Sequence, residues 1–258
     1  MANTVFENKV LEAKAKDLLT TAVNTRSLMT IDNTLAAEAG MVKTINVYTY
    51  DGTVEEVGVG QGNTGKGSIT YEGKDYTVKM NQQRFSYFDE DFMKDDKIVD
   101  FLMKGANQKM VNKMTADFIT EVKKATLTHT ATTFGYEAVV DGISKLNIED
   151  ESGVFVIAPN AWKAEMRKDA DYKAAHMGEV VYNGQVGTVG GLPVIYTNAL
   201  TDAAYVLTKE AVKLFMKKDV EVEQERGANE RENIVYLRTA YVVALEDNTK
   251  ICKITKGA

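Results

Sequence analysis

Between Ile98 and Val122 an apolar residue returns at every fourth position: Ile98, Leu102, Ala106, Met110, Met114, Phe118 and Val122. Val99, Met103, Val111 and Ile119 flank this stripe, while Lys, Asp, Gln and Asn fall largely opposite, so one face is set to be buried and the other to be wet. No proline interrupts the run, and Gly105 is its one weak point. Acids gather before it (Asp89, Glu90, Asp91) and Lys123-Lys124 close it, both in the sense the helix dipole favours. The pattern predicts a helix from Asp91 to Lys124, about 50 Å long at ~1.5 Å per residue. Because 3.6 residues make a turn, a four-residue repeat drifts, and the stripe should wind around the helix. Ile98, Leu102, Met110, Met114 and Phe118 are the expected core face. A helix about three times the ~11-residue average suits a flat, extended subunit better than a small enzyme.

What precedes it has a different period. Ile45, Val47 and Thr49 share one face of a strand, with Asn46, Tyr48 and Tyr50 on the other. Val54, Val57 and Val59 extend the run less regularly. A glycine-rich stretch follows (Gly60, Gly62, Gly65, Lys66, Gly67), and then Ser68–Tyr71 and Tyr76–Met80 read as strand again. This is a long hairpin with a glycine-rich tip. It has too few apolar side chains on one face to close a core, and isolated two-stranded ribbons are marginal in water. It must lie on the body of the domain or on a neighbouring subunit. The first 45 residues read as loosely anchored helix (Val5, Leu11, Leu18, Leu19, Val23), an arm free to pack on something other than its own core. Residues 134–258 read as α/β. Strands are expected at Gly153–Ala158, Val186–Val189, Val194–Tyr196, Ala203–Leu207, around Val220–Val222, at Ile234–Leu245 and at Lys250–Thr255. Helices are expected at Ala161–Asp171 and Glu210–Lys217.

Composition narrows the function. The chain has 258 residues, 31 Lys plus Arg against 37 Asp plus Glu, and a formal charge of −6. That is the wrong sign for a protein whose main task is to coat nucleic acid. One Cys and two His leave no disulfide scaffold, no Cys-rich zinc site and little for a histidine-built metal centre. No run reaches the ~20 apolar residues of a membrane span. The N-terminus lacks the pattern of a secretion signal, so the product is expected in the cytoplasm of the cell that makes it. Gly60–Lys66 matches G-x-x-x-x-G-K, and Gly60–Gly65 matches G-x-G-x-x-G. Both motifs need a helix N-terminus next to hold phosphate, yet strand sequence follows. His129 and His176 stand in polar surroundings, and Cys252 alternates like a core strand residue. The acidic run at Asp89 lacks the spacing of a calcium loop. No catalytic residue, metal site or cofactor is singled out.

The order of the parts resembles the major capsid protein of tailed bacteriophages, the Hong Kong 97-type fold. The residues nearest that pattern are Gly153-Val-Phe-Val-Ile-Ala-Pro-Asn-Ala-Trp162, Gly190-Gly-Leu-Pro-Val-Ile195 and Tyr236-Leu-Arg-Thr-Ala240. The resemblance spans nearly the whole chain, and it lies in the ordered set, each piece being weak alone. It implies an α+β subunit with an N-terminal arm (1–44), an extended loop (45–88), a peripheral domain (89–130 and 215–240) and an axial domain (131–214 and 241–258). Its tip glycines and Lys66 would reach a neighbouring subunit. The implied partners are copies of itself in hexamers and pentamers, a separate scaffolding protein, a portal, and packaged DNA through weak nonspecific contact, with no membrane and no cofactor. The implied place is the virion, assembled in the bacterial cytoplasm. Some relatives join a loop Lys to a neighbour's Asn; Lys66 with Asn229 or Asn233 are the matching types here, without an evident acid. An encapsulin-type compartment shell and a soluble α+β enzyme or binding domain remain open. Particle size separates shells from the last.

Overall fold

The computed structural model describes residues 4–7, 25–37, 40–95, 97–175 and 187–257. Two sheets meet at one long hairpin. Its strands are β11 (Val212–Gly227) and β12 (Glu232–Leu245). In the first sheet β12 pairs with β5 (Lys79–Phe88), and β11 receives β1 (Thr4–Glu7) antiparallel and β2 (Thr30–Asp32) parallel. The second sheet runs β6 (Leu127–Ala131), β13 (Ile251–Lys256), β10 (Ala203–Thr208), β7 (Val154–Pro159), β9 (Leu192–Thr197) and β8 (Thr188–Val189). Gly190 and Gly191 both have positive φ (57° and 80°), as a two-residue turn between β8 and β9 requires.

The four-residue stripe forms a helix, with a break the pattern does not show. A short helix, α2 (Asp89–Lys94), ends at Asp95, whose backbone is extended. The Asp95 carboxylate accepts a hydrogen bond from Lys97 N at 2.9 Å, and α3 (Ile98–Val122) starts afresh. Asp competes with the helix ladder through such local bonds. The spine is therefore 25 residues, about 37 Å at ~1.5 Å per residue, rather than 50 Å. Its stripe does wind. Met103, Ala106, Met110 and Val111 pack on Val220, Val222, Val235 and Leu237 of the first sheet. One helical half further on, Met114, Phe118, Ile119 and Val122 pack on Phe155, Ile157, Tyr205 and Leu207 of the second. The drift of the repeat lets one helix bridge two sheets.

The second sheet is buried on both faces, with strict alternation. Phe155 and Ile157 turn to the spine; Val154, Val156 and Ala158 turn to α4 (Tyr136–Leu146) and to Phe134, Trp162 and Met166. Cys252 is buried on the α4 side, among Val206 and Ile254.

Three expectations are corrected. Residues 210–217 are not helix: Val212 opens β11, with Val212, Leu214, Phe215 and Met216 all buried. A short apolar run buried on both faces carries no period that separates strand from helix. The described part of the N-terminal segment is mostly not helical either. It gives β1, a 3-10 turn at Thr25–Leu28, β2 and one short turn of helix, α1 (Thr34–Ala37). The open edge of β11 supplies backbone partners that a weakly amphipathic helix would not. Leu11, Leu18, Leu19 and Val23 lie outside the described residues, as does His176. Finally, the hairpin is shorter than its sequence suggests. β3 (Val42–Asp51) pairs with β4 (Ser68–Thr77), residues 52–67 form an irregular connection that takes in Val54, Val57 and Val59, and β5 already belongs to the first sheet.

Candidate assembly surfaces

Among the described residues the ribbon β3–β4 is held only at its root. Ile45 and Val78 are buried with Leu35, Phe215, Ala240 and Ala244. The Tyr76 hydroxyl donates to the Leu245 carbonyl at 3.1 Å, and Lys124 lies over the Tyr76 ring at 5.9 Å. Beyond the root the two strands pair only with each other. The register sets Tyr48 opposite Tyr71 and Tyr50 opposite Ile69, so the alternation of the pleat puts all four on one face. They are 66%, 73%, 69% and 65% exposed in that order. The Tyr48 and Tyr71 ring centroids lie 6.2 Å apart, and the Asn46 amide donates to the Tyr48 hydroxyl at 3.5 Å. An apolar face of this kind marks a surface that has a partner elsewhere. An open cleft of about 890 Å³ separates the ribbon (Asn46, Tyr48, Lys74) from the body (Glu210, Lys213, Lys250).

The tip is knit by its own polar groups. The Glu55 carboxylate accepts from Thr64 N at 2.9 Å and from the Thr64 hydroxyl, and the Asn63 side chain accepts from Gly65 N at 2.9 Å. The Thr64 backbone bond holds the Glu55 carboxyl below its usual range. Gly60 has φ +81° in a turn closed by Gln61 N to Gly58 O at 3.1 Å. Gly67 is glycine for another reason: a Cβ there would collide with the Tyr50 ring, which lies across the mouth of the loop. Gly60, Gly62, Gly65, Lys66 and Gly67 are all exposed, and β4 follows at Ser68. With no helix N-terminus at the loop, neither phosphate-binding motif has its mechanism.

On the spine, Met110, Met114 and Phe118 are buried, while Ile98 and Leu102 are half-buried. A second exposed apolar group, not foreseen from sequence, sits where the spine begins: Phe92, Met93 and Phe101, at 47%, 83% and 66% exposure. Phe101 lies next to the stripe residue Leu102 and off the buried face, a displacement that could have been read as a signal.

Of the two asparagines of matching type, Asn233 is held in a network of its own. Asn233 is buried; its amide donates to Asp89 at 2.7 Å and accepts from Gln224 at 3.1 Å. Asp89 is in turn bound by Arg226 at 2.8 Å, so the nearby acid is already neutralised. This network ties the turn end of β11–β12 to the start of α2. Asn229 is exposed in that turn. His129 faces one carboxylate, Asp141, at 3.6 Å. Among the described residues no group of three His, Cys, Asp or Glu is placed to hold a metal, and no helix is long and apolar enough to cross a membrane.

No protein-family model matches the chain. It is 30% identical over 152 residues to the major capsid protein of Staphylococcus phage phiMR11, covering 57% of this chain and 56% of that protein. The match thus spans about half the length of that relative. Among solved structures it is similar to the capsid subunit of cyanophage P-SCSP1u (TM-score 0.73, 11% identity, 89% of this chain and 86% of that one). It is also similar to the capsid subunit of the native GTA particle (TM-score 0.71, 14% identity, 91% and 90%). A third is a virus-like particle from Pyrococcus furiosus (TM-score 0.64, 12% identity, 95% and 98%). The fold is the Hong Kong 97-type fold of shell subunits, as the order of elements in the sequence implied.

Proposed function

We propose that this chain is the major capsid protein of a tailed bacteriophage, which assembles with copies of itself into the icosahedral shell around double-stranded DNA. The observation that carries the reading is the ribbon: four large side chains on one face, fixed in register and left bare by the chain's own core. A monomeric enzyme has no use for such a lever; a shell subunit does, because it gains its burial from neighbours. The sequence likeness to a phage capsid protein favours this reading over a compartment shell that encloses enzymes. In this reading the arm is residues 1–44 and the extended loop 45–88, and the protruding ribbon β3–β4 begins within the last residues of the arm, at Val42. The peripheral domain is 89–130 with 215–240, and the axial domain 131–214 with 241–258. Hexamers and pentamers, a separate scaffolding protein, a portal and assembly in the host cytoplasm belong to the same proposal. The role is structural, with no catalytic step.

Deleting Gly60 to Ser68 tests it. The variant should stay soluble with near-normal circular dichroism and fail to form megadalton particles in negative-stain microscopy, where the parent forms them. Normal assembly of the variant would remove the loop from the interface; an unfolded variant would place it in the subunit's own core.

A further inference from the structure

The spine changes partners between Val111, which packs on the first sheet, and Ile119, which packs on the second. At that crossover the layers do not close. A cleft of about 300 Å³ remains between the spine, the 3-10 turn Thr25–Leu28 and strand β9, at the lower end of the ~300–1,000 Å³ typical of small-molecule sites. Its apolar walls are Leu28, Val111, Ile119, Ile157 and Ile195. No Asp, Glu, Lys, Arg or His lines it, in a chain of which 26% of the residues are charged. The cleft beneath the ribbon is the opposite case, with Glu210, Lys213 and Lys250 in its wall. Most polar groups at the spine cleft are already engaged. Gln108 donates to Asn112 at 3.0 Å, the Thr115 hydroxyl donates to the Val111 carbonyl at 2.9 Å, and the Thr197 hydroxyl accepts from Ala199 N at 3.1 Å. Two wall residues, Thr25 and Tyr196, carry a buried hydroxyl with no hydrogen-bond partner among the described residues. The Tyr196 ring packs with the cluster on the far face of the sheet, which leaves Thr25 as the hydroxyl available here. A buried hydroxyl without a partner is costly, so it points to a partner that is missing.

We propose that this cleft binds a small uncharged molecule with an aliphatic body and one oxygen that hydrogen-bonds the Thr25 hydroxyl, the chemistry of a short-chain alcohol. The lining chooses the class. Its aliphatic side chains bury a hydrocarbon body, and one free hydroxyl fixes the polar end. A charged ligand would lose its hydration with no counter-charge to replace it, which excludes phosphates, metal ions and peptide termini. At ~30 Å³ per water-sized group the volume holds about ten non-hydrogen atoms. The site touches the N-terminal segment, the spine and the second sheet at once. A ligand there binds only the folded arrangement of the three, and so stabilises it with the logarithm of ligand concentration. The site needs no neighbouring subunit, so the proposal goes beyond the capsid reading and does not depend on it.

The test titrates hexanol into the unassembled subunit, labelled at its isoleucine methyl groups and followed by NMR. Hexanol should shift the signals of Ile119, Ile157 and Ile195 saturably and leave Ile69, on the exposed ribbon, unmoved. Hexylammonium and hexanoate, of the same chain length, should shift none of the three at the same concentration. Thr25→Val keeps the size of the side chain and removes its hydroxyl. The dissociation constant for hexanol should then rise about threefold to tenfold, the worth of one hydrogen bond. The same change should raise the melting temperature of the free subunit, because the unpaired hydroxyl is gone, and this keeps misfolding out of the comparison. Ile195→Phe should fill the cleft and abolish the shifts with unchanged circular dichroism; if that variant unfolds, Thr25→Val alone decides. The proposal is overturned if hexanol gives no saturable shift at the three cleft isoleucines, whether or not Ile69 moves. Equal shifts from hexylammonium overturn it too, since an uncharged lining could not hold that ion. So does a Thr25→Val subunit that binds hexanol as the parent does, which would leave the hydroxyl without a role.

Discussion

Replacing Tyr48 and Tyr71 by serine separates an assembly surface from a folding core. The two residues face each other across β3–β4, at 66% and 73% exposure. An aromatic side chain buries roughly 150–250 Å², so the exposed parts of this pair offer roughly 280 Å² to a partner. At ~25 cal/mol/Å² that is about 7 kcal/mol of gross burial per subunit. The costs of association and of ordering the ribbon offset much of it. If only a fifth survives, about 1.4 kcal/mol is lost, and the concentration needed for assembly rises about tenfold. Within the isolated subunit the pair contributes only as a cross-strand contact, at most about 1 kcal/mol. For a chain of this size that is a shift of roughly 2–4 °C in Tm. Sedimentation velocity over a concentration series reads the first quantity and a thermal melt of the unassembled subunit reads the second. Unchanged assembly at every concentration would refute the argument. So would a melt lowered by ten degrees or more, which would mean that the tyrosines belong to the subunit's own core.

Other perturbations test the interior. Phe118→Ala removes a ring with no exposure from the cluster joining both sheets and should cost ~3–5 kcal/mol, seen as a lower melt and as aggregation. Lys113→Ala should stay within ~0.5 kcal/mol, since its partner Asp117 keeps the hydrogen bond from Tyr241 at 3.0 Å; equal losses from the two changes would mean the helix face is misassigned. Asn107 is buried in the spine with neither end of its amide bonded among the described residues, so Asn107→Leu should raise stability by about 1–3 kcal/mol, and a lower denaturation midpoint would show a further partner. Burial pushes the Cys252 thiol up. The unfolded thiol ionises near ~8.5, so its share of stability is complete below that pH and declines as pH rises beyond it. Cys252→Val should flatten that alkaline decline, and a thiol reagent at pH 8 should label the parent only on unfolding; rapid labelling of the folded chain would place Cys252 at the surface.

What was legible in the sequence was whatever repeats. The spine announces itself because Met110, Met114 and Phe118 keep one period over many turns, and the drift of that period even forecasts a winding face. Gly153–Ala158 and Lys250–Thr255 read as strands from β-branched residues between turns, within one residue of the observed Val154–Pro159 and Ile251–Lys256. Illegible features were those decided by a single local bond or by a distant partner. Asp95 sits among acids that suit a helix start, and only its bond to Lys97 N turns it into a break. Val212–Met216 is apolar on both faces because it lies between the spine and the ribbon root, and such a run has no period of its own.

Exposure is the hardest property to read, because it depends on what is missing. Tyr48 and Tyr50 alternate as a good buried strand would, and the sequence alone could place that face on the body of the domain or on another chain. In the structure the root residues Ile45 and Val78 pack on the body, and among the described residues the strands beyond them pair with each other. Phe101 is likewise 66% exposed on the spine, though its chemistry does not suit water. A chain that places Tyr48, Tyr71 and Phe101 outside a core able to hold Phe118 and Tyr205 without exposure has not run out of packing capacity. On the proposed capsid reading, those side chains are kept for a second molecule.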